Sequence, residues 1–284
     1  MKKIIFSVFM LAMLIGFKLP VIAQVIDGPR DAIYDKTTIS QVDPIPYVYI
    51  RETDVIWSKR IWRELDMHEK INQPFYYPTR PQNGWKSFAQ IIIDGIKEGT
   101  LNAYSPMNDQ FTMPLTWKEM NDKYTTSKTI HRVNPDNPDE VLGDTTIVDE
   151  LKVDDIKMLT IKEDWVFDKQ RSVQEGRILG ICLKKDKLDQ QGNIIAPEDI
   201  CWVYFPDCRN LLSKHQQFNL KNGAAGRLSY DEVFMKRMFA SYIVKTENVY
   251  DRFINSYETG VGALLEAERA KKNLFEFEQN AWEY

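Results

Sequence analysis

The spacing of apolar residues changes along this chain, and that change constrains its fold more than any single motif. Trp57, Ile61 and Leu65 recur every fourth position after a capping Thr53, which predicts a helix closed by Pro74. Phe88, Ile92 and Ile96 repeat the pattern in a second helix over Trp85 to Glu98, with Gly99 supplying the left-handed terminating residue. Thr116 and Glu119 form a capping box for a short third helix through Tyr124. Past residue 150 the runs become β-rich. Met158 to Phe167, Arg177 to Leu183 and Ile200 to Phe205 are strand candidates, and the turn-forming residues Gln190 to Asn193 predict that the last two pair as neighbours. Capping boxes and fourfold spacing then predict helices from Ser229 through Tyr242, from Thr246 through Tyr257 and from Val261 to about Phe277.

The reading is therefore an α+β chain: a helical N-terminal lobe, then a lobe with a small antiparallel sheet and C-terminal helices. The expected divisions are a leader over residues 1–23, an N-terminal arm over 24–52, a mainly helical lobe over 53–125, a linker or long loop over 126–149 and an α+β lobe over 150–284. The linker assignment rests on the cluster Asn134, Pro135, Asp136, Asn137, Pro138, Asp139, which is dense in turn formers.

Lys2 and Lys3 precede an apolar run from Ile4 to Phe17, and Val21 and Ala23 supply small residues before Gln24. This is the pattern of a cleavable export signal with the cut between Ala23 and Gln24. A lipoprotein needs cysteine directly after the cut, and Gln24 stands there. The expected product is periplasmic and without a lipid of its own. Removing Lys2, Lys3 and Lys18 takes the formal charge from −4 to −7, which argues against nucleic acid as a partner. No other segment reaches membrane-span length without charges, so no direct membrane span is expected.

Three cysteines, Cys182, Cys201 and Cys208, are too few for a disulfide framework. They read as buried small hydrophobes, with a Cys201–Cys208 bridge as the sharper alternative. The chemistry-bearing patterns are thin. His68 and Glu69 begin the helical zinc-protease motif, but Asn72 occupies the position of its second imidazole, so the segment reads as a solvated helix end. Cys201, Cys208 and His215 lack the close ligand pairs of a structural zinc site. The loop Gly223 to Arg227 precedes a helix whose first turn holds Asp231 and Glu232, which would repel a phosphate. Asp164 and Asp168 read as a solvated face. No catalytic residue, metal or cofactor is assigned; the rival from another class is a carboxylate-dependent hydrolase acting on envelope glycan.

Interface candidates are Trp62, on a face beside the Trp57 stripe, and the aromatics Phe275, Phe277, Trp282 and Tyr284 near the chain end. Aromatics concentrate binding energy at interfaces, and chain ends fray unless something holds them.

Several longer stretches carry a resemblance. WSKRIWRELDMHEKINQPFYYP from Trp57, EDWVFDKQRSVQEGRILGICL from Glu163, WVYFPDCR from Trp202, GRLSYDEVFMKRMFASYIVKTENVYDRFI from Gly226 and the closing LFEFEQNAWEY resemble the GldN or PorN family of gliding-motility and secretion proteins. The ending departs from the family pattern at Gln279 and Asn280, where a histidine and an aspartate are expected. The resemblance implies a non-enzymatic periplasmic subunit of the type IX secretion system that self-associates in a ring. It implies as partners an outer-membrane lipoprotein of the GldK or PorK type, which would hold it at that membrane, and the periplasmic region of an inner-membrane motor protein of the GldM or PorM type.

Overall fold

A computed structural model describes residues 41–82, 84–134, 137–149, 151–188 and 194–281. The leader, the cleavage position Ala23–Gln24, Trp282 and Tyr284 lie outside the described residues. In chain order the elements are β1 (Val55–Asp66), α1 (Gln73–Tyr76), α2 (Phe88–Lys97), β2 (Ala103–Tyr104), β3 (Pro114–Leu115), α3 (Trp117–Tyr124), β4 (Thr126–Asn134), β5 (Asn137–Asp149) and β6 (Ile156–Asp168). There follow β7 (Val173–Leu188), β8 (Ile194–Tyr204), α4 (Phe205–Leu212), β9 (Gln216–Asn219), β10 (Gly223–Ser229), α5 (Tyr230–Met235), β11 (Tyr242–Thr246) and α6 (Val261–Ala281).

The α+β class holds, but its sheet is larger than expected. Seven antiparallel strands run in the order β11-β1-β6-β7-β8-β2-β3. The expected helix over Thr53 to Leu65 is strand β1, paired with β6 along its whole length and with β11 on its other edge. Residues at i, i+4 and i+8 share a face in a strand as well as in a helix. The intervening same-face positions are Lys59 and Arg63, which hide the alternation. The stretch over 53–125 thus supplies β1, β2 and β3 to the same sheet as β6, β7 and β8. The expected linker over 126–149 contains strands β4 and β5, which pair with each other as their own two-stranded sheet, with Asn134 opposite Asn137 at its end.

One face of the sheet carries the main core. Leu65, Leu159, Ile161, Ile181, Leu183, Cys201 and Val203 pack there with Phe88, Ile92, Phe205 and Phe234 from the helices. Helix α2 is capped by the Ser87 hydroxyl, which accepts from the Gln90 N–H, and it ends at Gly99 with φ +73°. The N–H groups of Gly99 and Thr100 reach back to the carbonyls of Ile96 and Gly95, a Schellman closure. The box of Thr116 and Glu119 caps α3 as expected. Ser229 and Glu232 likewise cap α5, which stops at Met235 because Arg237 takes φ +52° and closes it by the same motif. The chain leaves α5 there and returns as β11, so the helices expected through Tyr242 and from Thr246 do not form.

The other face is polar and aromatic. Trp62, Cys182 and Trp202 lie on it under Phe111 of the β2–β3 loop, whose ring packs so closely on Gly180 that a Cβ there would enter it. The segment holding Ile45, Tyr47 and Val48 lies against the body. Arg177 and Arg209 donate to the carbonyls of Val48 and Ile45, both at 2.6 Å, and their guanidiniums flank the Tyr47 ring at 5.0 and 4.5 Å.

Candidate functional site

The residues singled out for chemistry in the sequence are mostly occupied by folding tasks. Asn72 is no solvated helix end: it is fully buried, its amide donates to the carbonyls of Asp66 and Ala240, and its oxygen accepts from the Ala240 N–H. Such a clasp satisfies backbone groups that would otherwise be buried without partners. Asp164 accepts two bonds from Arg60 at 2.6 and 2.8 Å, and Asp168 is bonded to Arg171 at 2.7 Å. Asp231, in the first turn of α5, meets Arg209 through two bonds of 2.8 and 3.1 Å in a buried pair. The segment Gly223 to Arg227 is no loop: it is the first part of strand β10, which pairs antiparallel with β9. Cys182, Cys201 and Cys208 are free, buried thiols, so the Cys201–Cys208 bridge is absent; Cys208 instead donates to the carbonyl of Tyr204, the residue before α4. Among the described residues no group of three or more His, Cys, Asp or Glu side chains is placed to hold a metal ion.

Two charge clusters remain. On the polar face Trp62 is 6 % exposed, which removes it from the interface candidates, and its Nε1–H donates to Asp109 at 2.7 Å. Lys162 donates to the Asp109 backbone carbonyl at 2.6 Å, and Lys245 lies 4.2 Å from the centre of the Trp62 ring. Burial alone would raise the Asp109 carboxyl, but the Lys162 ammonium and the Trp62 N–H outweigh it and hold it below the usual 3.8. The second cluster is centred on Glu163, which is completely buried on the core face. Arg63 bonds its carboxylate at 3.2 Å, Arg237 at 3.0 Å and the Trp165 Nε1–H at 2.9 Å. Burial lowers the pKa of Arg63, with Arg237 adding to the effect against the attraction of Glu163.

Above the Glu163 cluster lies α6. Ala267, Ala270 and Leu274 are buried against Ile61, Ile243 and Ile254, and Phe277 stacks on Trp57. Leu264, by contrast, is exposed. The helix and the segment before it leave large apolar side chains exposed, namely Val249 (99 %), Tyr250 (73 %), Val261 (71 %), Leu264 (57 %), Leu265 (56 %) and Phe275 (57 %). Of the aromatic interface candidates in the described residues, Phe275 faces outward and Phe277 is half-buried in the fold. At 3.6 residues per turn Val261, Leu264, Leu265 and Phe275 fall on one side of α6, apart from the side that holds Ala267, Ala270 and Leu274.

No helix among the described residues is long and apolar enough to cross a membrane. A search of curated proteins finds no match. The family model described as gliding motility associated protein GldN matches residues 50–283, spanning every element from β1 to α6, and the chain belongs to that family of gliding-motility and type IX secretion components.

Proposed function

We propose that this chain is a non-enzymatic periplasmic assembly subunit, held at the outer membrane by a lipoprotein of the GldK or PorK type, self-associating in a ring and contacting a motor protein of the GldM or PorM type. The observation that carries this reading is the row of exposed apolar side chains on α6 and the segment before it, on an element whose opposite face belongs to the core. Membership of the GldN family supports it. The hydrolase reading needs a carboxylic acid in a cleft, and the carboxylates singled out for it are each tied to an arginine. The test is fractionation of envelopes from cells with and without the lipoprotein gene. The chain should leave the membrane fraction, or disappear by degradation, when the lipoprotein is absent; a chain that stays membrane-bound rejects the anchoring.

A further inference from the structure

We infer that the groove between α6 and the Glu163 cluster receives a segment of a partner protein that seats a carboxylate on Arg63 between bulky apolar side chains. This rests on the reading of α6 as a docking element and adds the chemistry of what docks. The groove encloses about 640 Å³, with Trp165, Leu274 and Phe275 as apolar walls and Arg63 among its lining.

Arg63 is the reason to expect an acid. Its side chain is only 12 % exposed, yet its guanidinium makes one hydrogen bond among the described residues, from Nε to Glu163. A guanidinium carries five N–H donors in a planar fork matched to a carboxylate. Glu163 cannot meet that capacity, because Arg237 and the Trp165 N–H share its two oxygens. Two arginines thus converge on one carboxylate, and of the two Arg63 lines the groove. Of the other cations in the lining, Arg269, Lys271 and Lys272 pair along α6 with Glu266, Glu268 and Glu276, so the preference for an anionic guest rests on the spare donors of Arg63. Its length favours a polypeptide: α6 lines it from Leu265 to Glu278, about 20 Å of helix. The exposed side chains of Leu265 and Phe275 in the lining supply apolar contact for the residues that flank the acid.

The test places a photo-reactive benzoylphenylalanine at Phe275 in the full chain in its own cells, followed by sequencing of the crosslinked peptides. The expected product joins Phe275 to another protein, at a segment with an Asp or Glu flanked by large apolar residues. Arg63→Met should lower its yield about tenfold, the scale of one lost charge-assisted hydrogen bond. Because Arg63→Met also strips a partner from Glu163, Leu265→Asp serves as the second variant, with the same loss expected at an unchanged unfolding midpoint. A crosslinked segment lacking an acid, a crosslink to a second copy or to this chain itself, no crosslink, or a yield indifferent to both variants overturns the proposal. A chain still held at the envelope by its lipoprotein under any of those results leaves the assembly reading standing and rejects only the groove.

Discussion

The Phe277 ring in α6 lies on the Trp57 ring in β1, with centroids 4.2 Å apart and planes 16° from parallel. The last helix is thereby pinned to the first strand, and Phe167 of β6 meets the same ring edge-on at 6.1 Å. An aromatic pair of this kind contributes about 0.5–1.5 kcal/mol beyond the area it buries. Trp57→Ala and Phe277→Ala should each lower unfolding free energy in urea by about 1–3 kcal/mol. The double variant should lose about 0.5–1.5 kcal/mol less than the sum, since the shared stack is removed once. Strict additivity would mean that the two rings do not stabilise each other.

Acid stability should fall in two separate windows. Burial, and then the nearby Lys86 ammonium, hold His215 below its usual 6.5, so the folded state resists a proton that the unfolded chain accepts. The stabilisation is complete above pH 6.5 and is lost as pH falls toward the depressed folded value. Asp109 behaves in the same sense below 3.8, because its folded value is also depressed. Urea midpoints measured against pH should flatten just below pH 6.5 in His215→Gln and below pH 3.8 in Asp109→Asn. A wild-type profile without slope in the first window contradicts the burial of a neutral imidazole.

The three thiols should be silent in the folded chain. Burial pushes Cys201 up to about 12, and raises Cys182 and Cys208 well above the usual thiol value, so almost no thiolate exists near neutral pH. Ellman's reagent should find almost none in buffer and three per chain in guanidinium without reductant. One thiol under denaturing conditions would establish a bridge between two of them.

What the sequence disclosed depended on whether a local signal had a single physical meaning. The boxes at Thr116 and Ser229 and the stop at Gly99 read correctly because a cap depends only on a few adjacent residues. Strand β1 misled because its fourfold spacing satisfies two periods, and the buried partner that makes Arg63 acceptable on the core face, Glu163, is remote in sequence. Strands β4 and β5 were hidden in a stretch read as a linker, since they pair only with each other and the turn formers between them dominate the local signal. Trp62 looked like surface because nothing nearby in sequence announces Asp109 as its partner. Phe275 was recognisable in kind, as an aromatic near the chain end, but which of Phe275 and Phe277 faced outward depended on where Trp57 lay.

The two faces of α6 should separate folding from assembly. Leu274 is buried against the sheet, and shortening it to alanine removes apolar contact and leaves a cavity, which costs about 2–5 kcal/mol in well-packed cores. Leu274→Ala should therefore lower the unfolding midpoint, and any loss of assembly should follow from loss of fold. Val261 and Leu264 project away from the core. Replacing both with serine should change stability by no more than about 0.5 kcal/mol per site, as for surface positions without special contacts. If those side chains lie in an interface, the same pair should abolish copurification with the lipoprotein, because apolar area lost from an interface weakens binding whether or not the monomer notices. Thermal unfolding and affinity purification from envelope extract, run side by side on the two variants, decide the matter. A Val261→Ser/Leu264→Ser chain that copurifies at full yield would show that this face of α6 is not the contact, however firmly its other face is packed.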